Sequence, residues 1–276
     1  MPAELALVEQ SVRQQQTHYY GKYRAFVADN KDPEKLGRVK LTVPSVLGGA
    51  STEWAFPVTP YGGAAGIGFF AVPPVGAQVV AEFMEGDVSA PLWTGSFWRL
   101  AKEVPKEATG SEEPTVKLLK TESGHLFSLE DKSGDEKVTL QSAAGATLEL
   151  DHEGTIALTD KNGATVKVDA KAGEIRIEDK NGNALVLSSA GISATDGSGN
   201  EISTSASGVK VSGATIEVKG QSVVVGGAGG EPLVKGPSFM AIFNAHTHNC
   251  TAPGAPSGPP LTPLTPGAFT TATVAS

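Results

Sequence analysis

Residues 124–230 repeat with a period of about nine residues, and no other feature of the chain constrains its fold so tightly. Glycines stand at 145, 154, 163, 173, 182, 191, 199 and 208, spaced 9, 9, 10, 9, 9, 8 and 9 residues apart. Between them lie alternating apolar pairs: Leu148/Leu150, Ile156/Leu158, Val166/Val168, Ile175/Ile177, Leu185/Leu187, Val209/Val211, Ile216/Val218 and Val223/Val225. Successive side chains of a strand point to opposite faces, so each pair buries one face. Asp160-Lys161-Asn162-Gly163 and Asp179-Lys180-Asn181-Gly182 supply the positive φ of sharp turns. A strand of about five residues, a turn and another strand fill such a period. This predicts a repeat architecture that a β-helix suits best, with a meandering hairpin sheet as the alternative.

The repeat also demands a partner. Each unit presents two inward apolar side chains, and residues 124–230 contain one aromatic, Phe127. A single chain wound on itself cannot fill its own interior with so little. Three copies about one axis can, each supplying one face of a thin prism, and closure removes free strand edges. The expectation is a homotrimer of 3 × 28.3 ≈ 85 kDa with a formal charge of 3 × (−8) = −24.

The remaining chain divides around this needle of residues 124–235. Residues 1–18 read as an N-terminal helix or arm. Residues 19–99 hold five or six short strands separated by Gly and Pro, and all three Trp, which predicts a small barrel or sandwich. Residues 100–123 are polar and read as a linker. Residues 236–276 form a tip with a His-x-His pair and a Pro-rich tail. The 22 basic and 30 acidic residues give no excess of positive charge, so nucleic acid is an unsuitable partner. With Cys250 as the single cysteine, no intrachain disulfide is expected. No basic leader followed by an apolar run opens the chain, and no window of about 18 apolar residues exists, so neither a signal peptide nor a membrane-spanning helix is expected.

Two stretches carry a resemblance. Asp32-Pro33-Glu34-Lys35-Leu36-Gly37-Arg38-Val39-Lys40-Leu41 and the run from Val72 through Gly76, Phe83, Gly86, Asp87, Pro91 and Gly95 to Trp98 resemble the OB-fold barrel of the baseplate assembly protein V family. That family includes the central spikes of contractile phage tails and the spike part of type VI secretion VgrG proteins. The resemblance implies an all-β chain, an N-terminal OB-fold barrel followed by an intertwined trimeric β-helix needle. It implies a central spike that caps the tube at the baseplate and pierces the target envelope on contraction. The implied partners are baseplate hub and tail tube proteins, the target cell outer membrane and a separate tip protein. The implied place is a virion or phage-tail-like particle assembled in the host cytoplasm. The family's hub and lysozyme domains find no room here, so a non-enzymatic spike is expected.

His246 and His248 are the candidate metal ligands. At i and i+2 on an extended strand they point to one side. Around a three-fold axis they bring six imidazoles to one point, which suits an octahedral first-row metal, iron or nickel, better than tetrahedral zinc. The resemblance extends to a His-x-His iron site near the apex of phage spikes, so iron is the expected cofactor. Cys250 is read as a lone thiol. The tail around 253–269 is either a solvated end, a cover that folds back over the tip, or a dock for another protein. Gly63-Ala64-Ala65-Gly66-Ile67-Gly68 lacks the spacing of a dinucleotide fingerprint. Glu82, Glu85 and Asp87 read as turn residues rather than a catalytic pair. The alternative function is a carbohydrate-binding or polysaccharide-degrading β-helix tail fibre, which the scarcity of aromatics after residue 124 disfavours.

Overall fold

A computed structural model of the chain describes residues 7–9, 11–12, 17–221, 234–248, 258–260 and 262–266. It falls into two compact units, residues 1–210 and 211–276. Among the described residues, strands far outnumber helices.

The first sheet is the barrel. It contains β1 (Tyr23–Asp29), β2 (Lys40–Thr42), β3 (Phe56–Pro57), β4 (Gln78–Phe83) and β5 (Pro91–Ser96), in the order β2-β1-β4-β5-β3. Neighbours are antiparallel except β3 and β5. An isolated bridge from Val39 to Ala55 brings the two outer edges together. β4 shows why this stretch is a strand. Its Val79, Ala81 and Phe83 point inward while Gln78, Val80 and Glu82 alternate outward. They meet Ala25, Val27, Val39, Leu41, Val43, Ala55 and Trp93 in one core. The loop from β1 to β2 is wound around Asp32. Its carboxylate accepts the backbone N–H groups of Glu34, Leu36 and Arg38 and the Arg38 guanidinium, the last at 2.7 Å. Those partners hold the Asp32 carboxyl well below the usual carboxylate range, the Arg38 side chain contributing most.

The second sheet has eleven strands in sequence order, and neighbours among the first ten are antiparallel. The first five are β6 (Val116–Lys120), β7 (Leu126–Glu130), β8 (Lys137–Gln141), β9 (Thr147–Asp151) and β10 (Ile156–Thr159). β11 (Thr165–Asp169), β12 (Glu174–Glu178), β13 (Ala184–Ser188), β14 (Gly191–Thr195), β15 (Glu201–Ser205) and β16 (Gly208–Ser212) follow. The repeat thus runs as a sequential antiparallel sheet with one long face, consistent with one side of a β-helix needle.

Three stretches differ from the sequence reading. Residues 100–123, read as a linker, contain ordered 3-10 turns at Ala101–Glu103 and Lys106–Ala108 and then β6. Glu103 accepts Gln78 of the barrel at 2.9 Å, and Glu107 pairs with Lys120 of β6 at 2.6 Å, so charge contacts pin what composition suggested was loose. Ile216 and Val218 alternate like a strand, yet they lie past the last strand and are exposed. Val223 and Val225 lie outside the described residues. The stretch from Phe239, given no element by the sequence, is helical over Gly236–Ala245, with Pro237 in its first turn.

Candidate functional site

The long sheet has one apolar and one polar face, and its register builds both. One column of side chains runs Leu119, Phe127, Leu140, Leu148, Leu158, Val166, Ile177, Leu185, Ala194, Ile202, each directly opposite the next. Beside it runs Leu129, Val138, Leu150, Ile156, Val168, Ile175, Leu187, Ile192. The antiparallel period of two keeps every member on the same face. The other face carries Glu149, Lys167, Arg176, Glu178 and Ser193, with Lys167 paired to Asp169 at 2.5 Å and Arg176 to Glu178 at 2.7 Å.

Exposure on these faces is inverted. Along β11, β12 and β13 the apolar residues are exposed and the polar-face residues half-buried. Leu158 is 48% exposed and Ile177 44%. At its β6–β10 end the apolar face dips into a hollow of about 420 Å³ lined by Leu119, Phe127, Leu140 and Leu158. His125 rims it, its Nδ1 accepting the Ala143 N–H at 3.2 Å. A contiguous apolar surface of this length is far larger than an isolated soluble domain leaves in water.

The turns explain how the strands are kept in register. Asp160 Oδ1 accepts the N–H groups of Asn162 and Ala164, both at 2.8 Å, while Gly163 N–H reaches the Asp160 carbonyl at 3.2 Å. Asp179 does the same with Asn181 and Asn183, Asp196 with Ser198 and Asn200, and Asp151 with Glu153 and Thr155. The fourth residue of each turn is glycine with positive φ, for example 93° at Gly163 and 83° at Gly182. These carboxylates are consumed by their own turns. The two side-chain N–H groups from Asn183 and Asn181 complete the set around Asp179, and together these bonds hold its pKa down at about 2. Sequence reading recognised the Asn-Gly turns but not the aspartate that organises each one.

His246 caps the C-terminal helix with φ −70° and ψ 143°, so the chain is extended where the two histidines begin. Their ring centroids are 5.3 Å apart, edge to face, so the structure does bring His246 and His248 together. The His246 Nδ1 lies against the Phe243 carbonyl, which can only accept. A neutral imidazole donating there through Nδ1 would leave Nε2 for a metal. Within one chain, and among the described residues, no group of three or more His, Cys, Asp or Glu could hold a metal. Two imidazoles from one chain fit a metal as a partial donor set. Cys250 lies outside the described residues.

The remaining candidates dissolve into structure. Glu82 pairs with Lys22 and accepts Thr94, while Asp87 accepts the N–H and hydroxyl of Ser89 in its own turn. Ala64 and Ile67 bridge across a tight Gly-rich turn, which lines an apolar groove of about 960 Å³ on the barrel with Phe56, Tyr61, Phe69 and Phe70.

The chain thus combines a five-stranded barrel with a wound entry loop and a long sheet with one apolar face. Residues 23–98 match the family described as type VI secretion system/phage-baseplate injector OB domain. The chain is 27% identical over 109 residues to the type VI secretion system spike protein VgrG4b of Pseudomonas aeruginosa, covering 38% of this chain and 14% of that protein. It is 26% identical over 140 residues to the spike protein VgrG3 of Vibrio cholerae, covering 48% and 14%. A third relative, the actin cross-linking toxin VgrG1 of Vibrio cholerae, is 32% identical over 78 residues, 27% of this chain and 7% of the toxin. The chain thus spans about one seventh or less of the length of these relatives. Through its barrel it is related to the contractile-tail and type VI secretion spike proteins.

Proposed function

We propose that three copies of this chain form the central spike of a contractile phage tail or phage-tail-like injection particle. The observation that carries this is the inverted exposure of the eleven-stranded sheet, whose apolar columns are left largely uncovered among the described residues and so call for a cover from a second copy. Three such sheets facing one axis cover one another. At a strand spacing of about 4.8 Å, eleven strands make a needle on the order of 50 Å long, beyond the roughly 30 Å of a bilayer's hydrocarbon core. The barrels cap the tube and meet the hub, and the needle is driven through the target outer membrane on contraction. Its task is mechanical and needs no catalytic residue.

At the tip, His246 and His248 from three chains supply six imidazole nitrogens to one metal, a set that suits iron or nickel, iron being the ion that the family resemblance implies. A bound ion would tie three chain ends together and make binding energy assembly energy. The deciding experiment is the mass in solution by light scattering after gel filtration. A species near 3 × 28.3 ≈ 85 kDa supports the spike. A 28.3 kDa monomer would overturn it and favour a fibre-like or carbohydrate-binding sheet.

A further inference from the structure

Asn244 is the penultimate residue of the Gly236–Ala245 helix, a position where asparagine is a poor helix former. Its side chain is occupied elsewhere. Oδ1 accepts the backbone N–H of Leu264 at 2.9 Å, and Nδ2 donates to the Leu264 carbonyl at 3.1 Å. One amide side chain thus meets both polar groups of one backbone residue, as a residue on a neighbouring strand would.

The composition of the tail explains why such a partner suits it. Pro259, Pro260, Pro263 and Pro266 have no N–H, so between 259 and 266 only Leu261, Thr262, Leu264 and Thr265 can donate. Neither a helix nor a strand ladder is open to this stretch. A side-chain clamp on one residue asks for no regular neighbours. Burial follows the clamp: Pro260 and Leu264 are half-buried, while Gly258, Pro259, Thr262, Pro263, Thr265 and Pro266 are exposed.

We propose that the proline-rich tail is an intramolecular strap on the tip helix, held by Asn244 through the Leu264 backbone. The tail then completes the tip of its own chain and is not a free extended ligand for a separate tip protein. Such a protein would have to displace Leu264 from Asn244. The inference rests on hydrogen bonds within residues 236–266 and stands apart from the metal and the oligomeric state.

Backbone hydrogen exchange on the full chain tests it. Leu264 N–H is expected to exchange at least tenfold more slowly than Thr265 N–H. Asn244→Ala is expected to abolish that difference. Asn244→Asp, which keeps an acceptor oxygen for the N–H and loses the donor to the carbonyl, is expected to retain part of it. Exchange within the helix at Ile242 and Phe243 serves as the folding control, since alanine favours the helix. A second readout is thermolysin, which cuts before leucine: the variant is expected to be nicked ahead of Leu264 several-fold faster than the parent. Equal exchange at Leu264 and Thr265 in the parent, or Leu264 protection unchanged by Asn244→Ala, would overturn the strap.

Discussion

Replacing Ile177 by aspartate separates a wet face from a buried one. Ile177 lies directly opposite Val166 and Leu185 and is 44% exposed in the single chain. If that face met water in the working protein, the change would fall within about 0.5 kcal/mol for a surface site, plus up to about 1 kcal/mol of strand propensity. If three sheets cover it, two larger effects apply. Fully burying an isoleucine is worth about 1.5–3 kcal/mol, so drying the remaining two fifths contributes about 1 kcal/mol per chain, which the variant forfeits. An ionised carboxylate among apolar side chains costs several kcal/mol more, and the axis would hold three of them. The sum is on the order of 10 kcal/mol or more per trimer, a weakening of association by about seven powers of ten. Light scattering reads this directly as a fall from about 85 kDa to 28.3 kDa. Ser193→Asp, on the polar face opposite Val186 and Ser203, is the control and should leave the mass unchanged. A trimeric Ile177→Asp protein with the parent's thermal midpoint would refute the buried face.

The turn aspartates predict acid lability. The carboxyls of Asp151, Asp160, Asp179 and Asp196 are all held low by hydrogen bonds they accept in the folded state. A carboxyl lowered by folding stabilises the fold above its unfolded value of about 3.9 and loses that contribution as pH falls through its folded value. Circular dichroism melts should therefore hold a constant midpoint from pH 7 to about 5 and fall steeply towards pH 2, and the double change Asp160→Ala, Asp179→Ala should flatten that fall. Gly191→Ala should destabilise far more than Gly163→Ala, because the added Cβ would collide with the Thr204 carbonyl at φ 135° whereas Gly163 faces open space; urea midpoints distinguish them. His246→Ala combined with His248→Ala should remove bound iron from purified trimer without dissociating it, read by elemental analysis and light scattering. Truncation after Lys235 should leave an assembled particle with reduced penetration, measured as infectivity or target killing.

Much of this molecule is legible in its sequence, and the limits have physical causes. The pairs from Leu148/Leu150 to Leu185/Leu187 predict five consecutive strands because alternation is a local signal with one geometric meaning. The same signal at Ile216/Val218 yields no strand, since alternation specifies a face and not the neighbour that must receive it. Residues 100–123 look like a linker by composition, yet they contain β6, whose Lys120 pairs with Glu107. The helix over Gly236–Ala245 escaped notice because a single run of mixed apolar residues before His246 supports either period. The pairing of Asn244 with Leu264, twenty residues apart, has no sequence signature at all.

Sheet geometry and assembly are linked by a single asymmetry. An antiparallel sheet in water normally turns its polar face outward and packs the other on its own chain. Here Phe127 is the one aromatic after residue 124 before the tip, and among the described residues most members of the two columns are exposed. At the same time the polar face is self-satisfied, with Lys167 and Arg176 each neutralised along its own strand and the turn aspartates saturated by their own backbones. A face without unmet polar groups has no need of a partner, and a face of two unbroken apolar columns has no alternative to one. The columns together hold 18 side chains, so covering them contributes on the order of 15 kcal/mol per chain. That is comparable to the whole stability of an ordinary domain. If three such sheets cover one another as proposed, folding and assembly of the needle are one process.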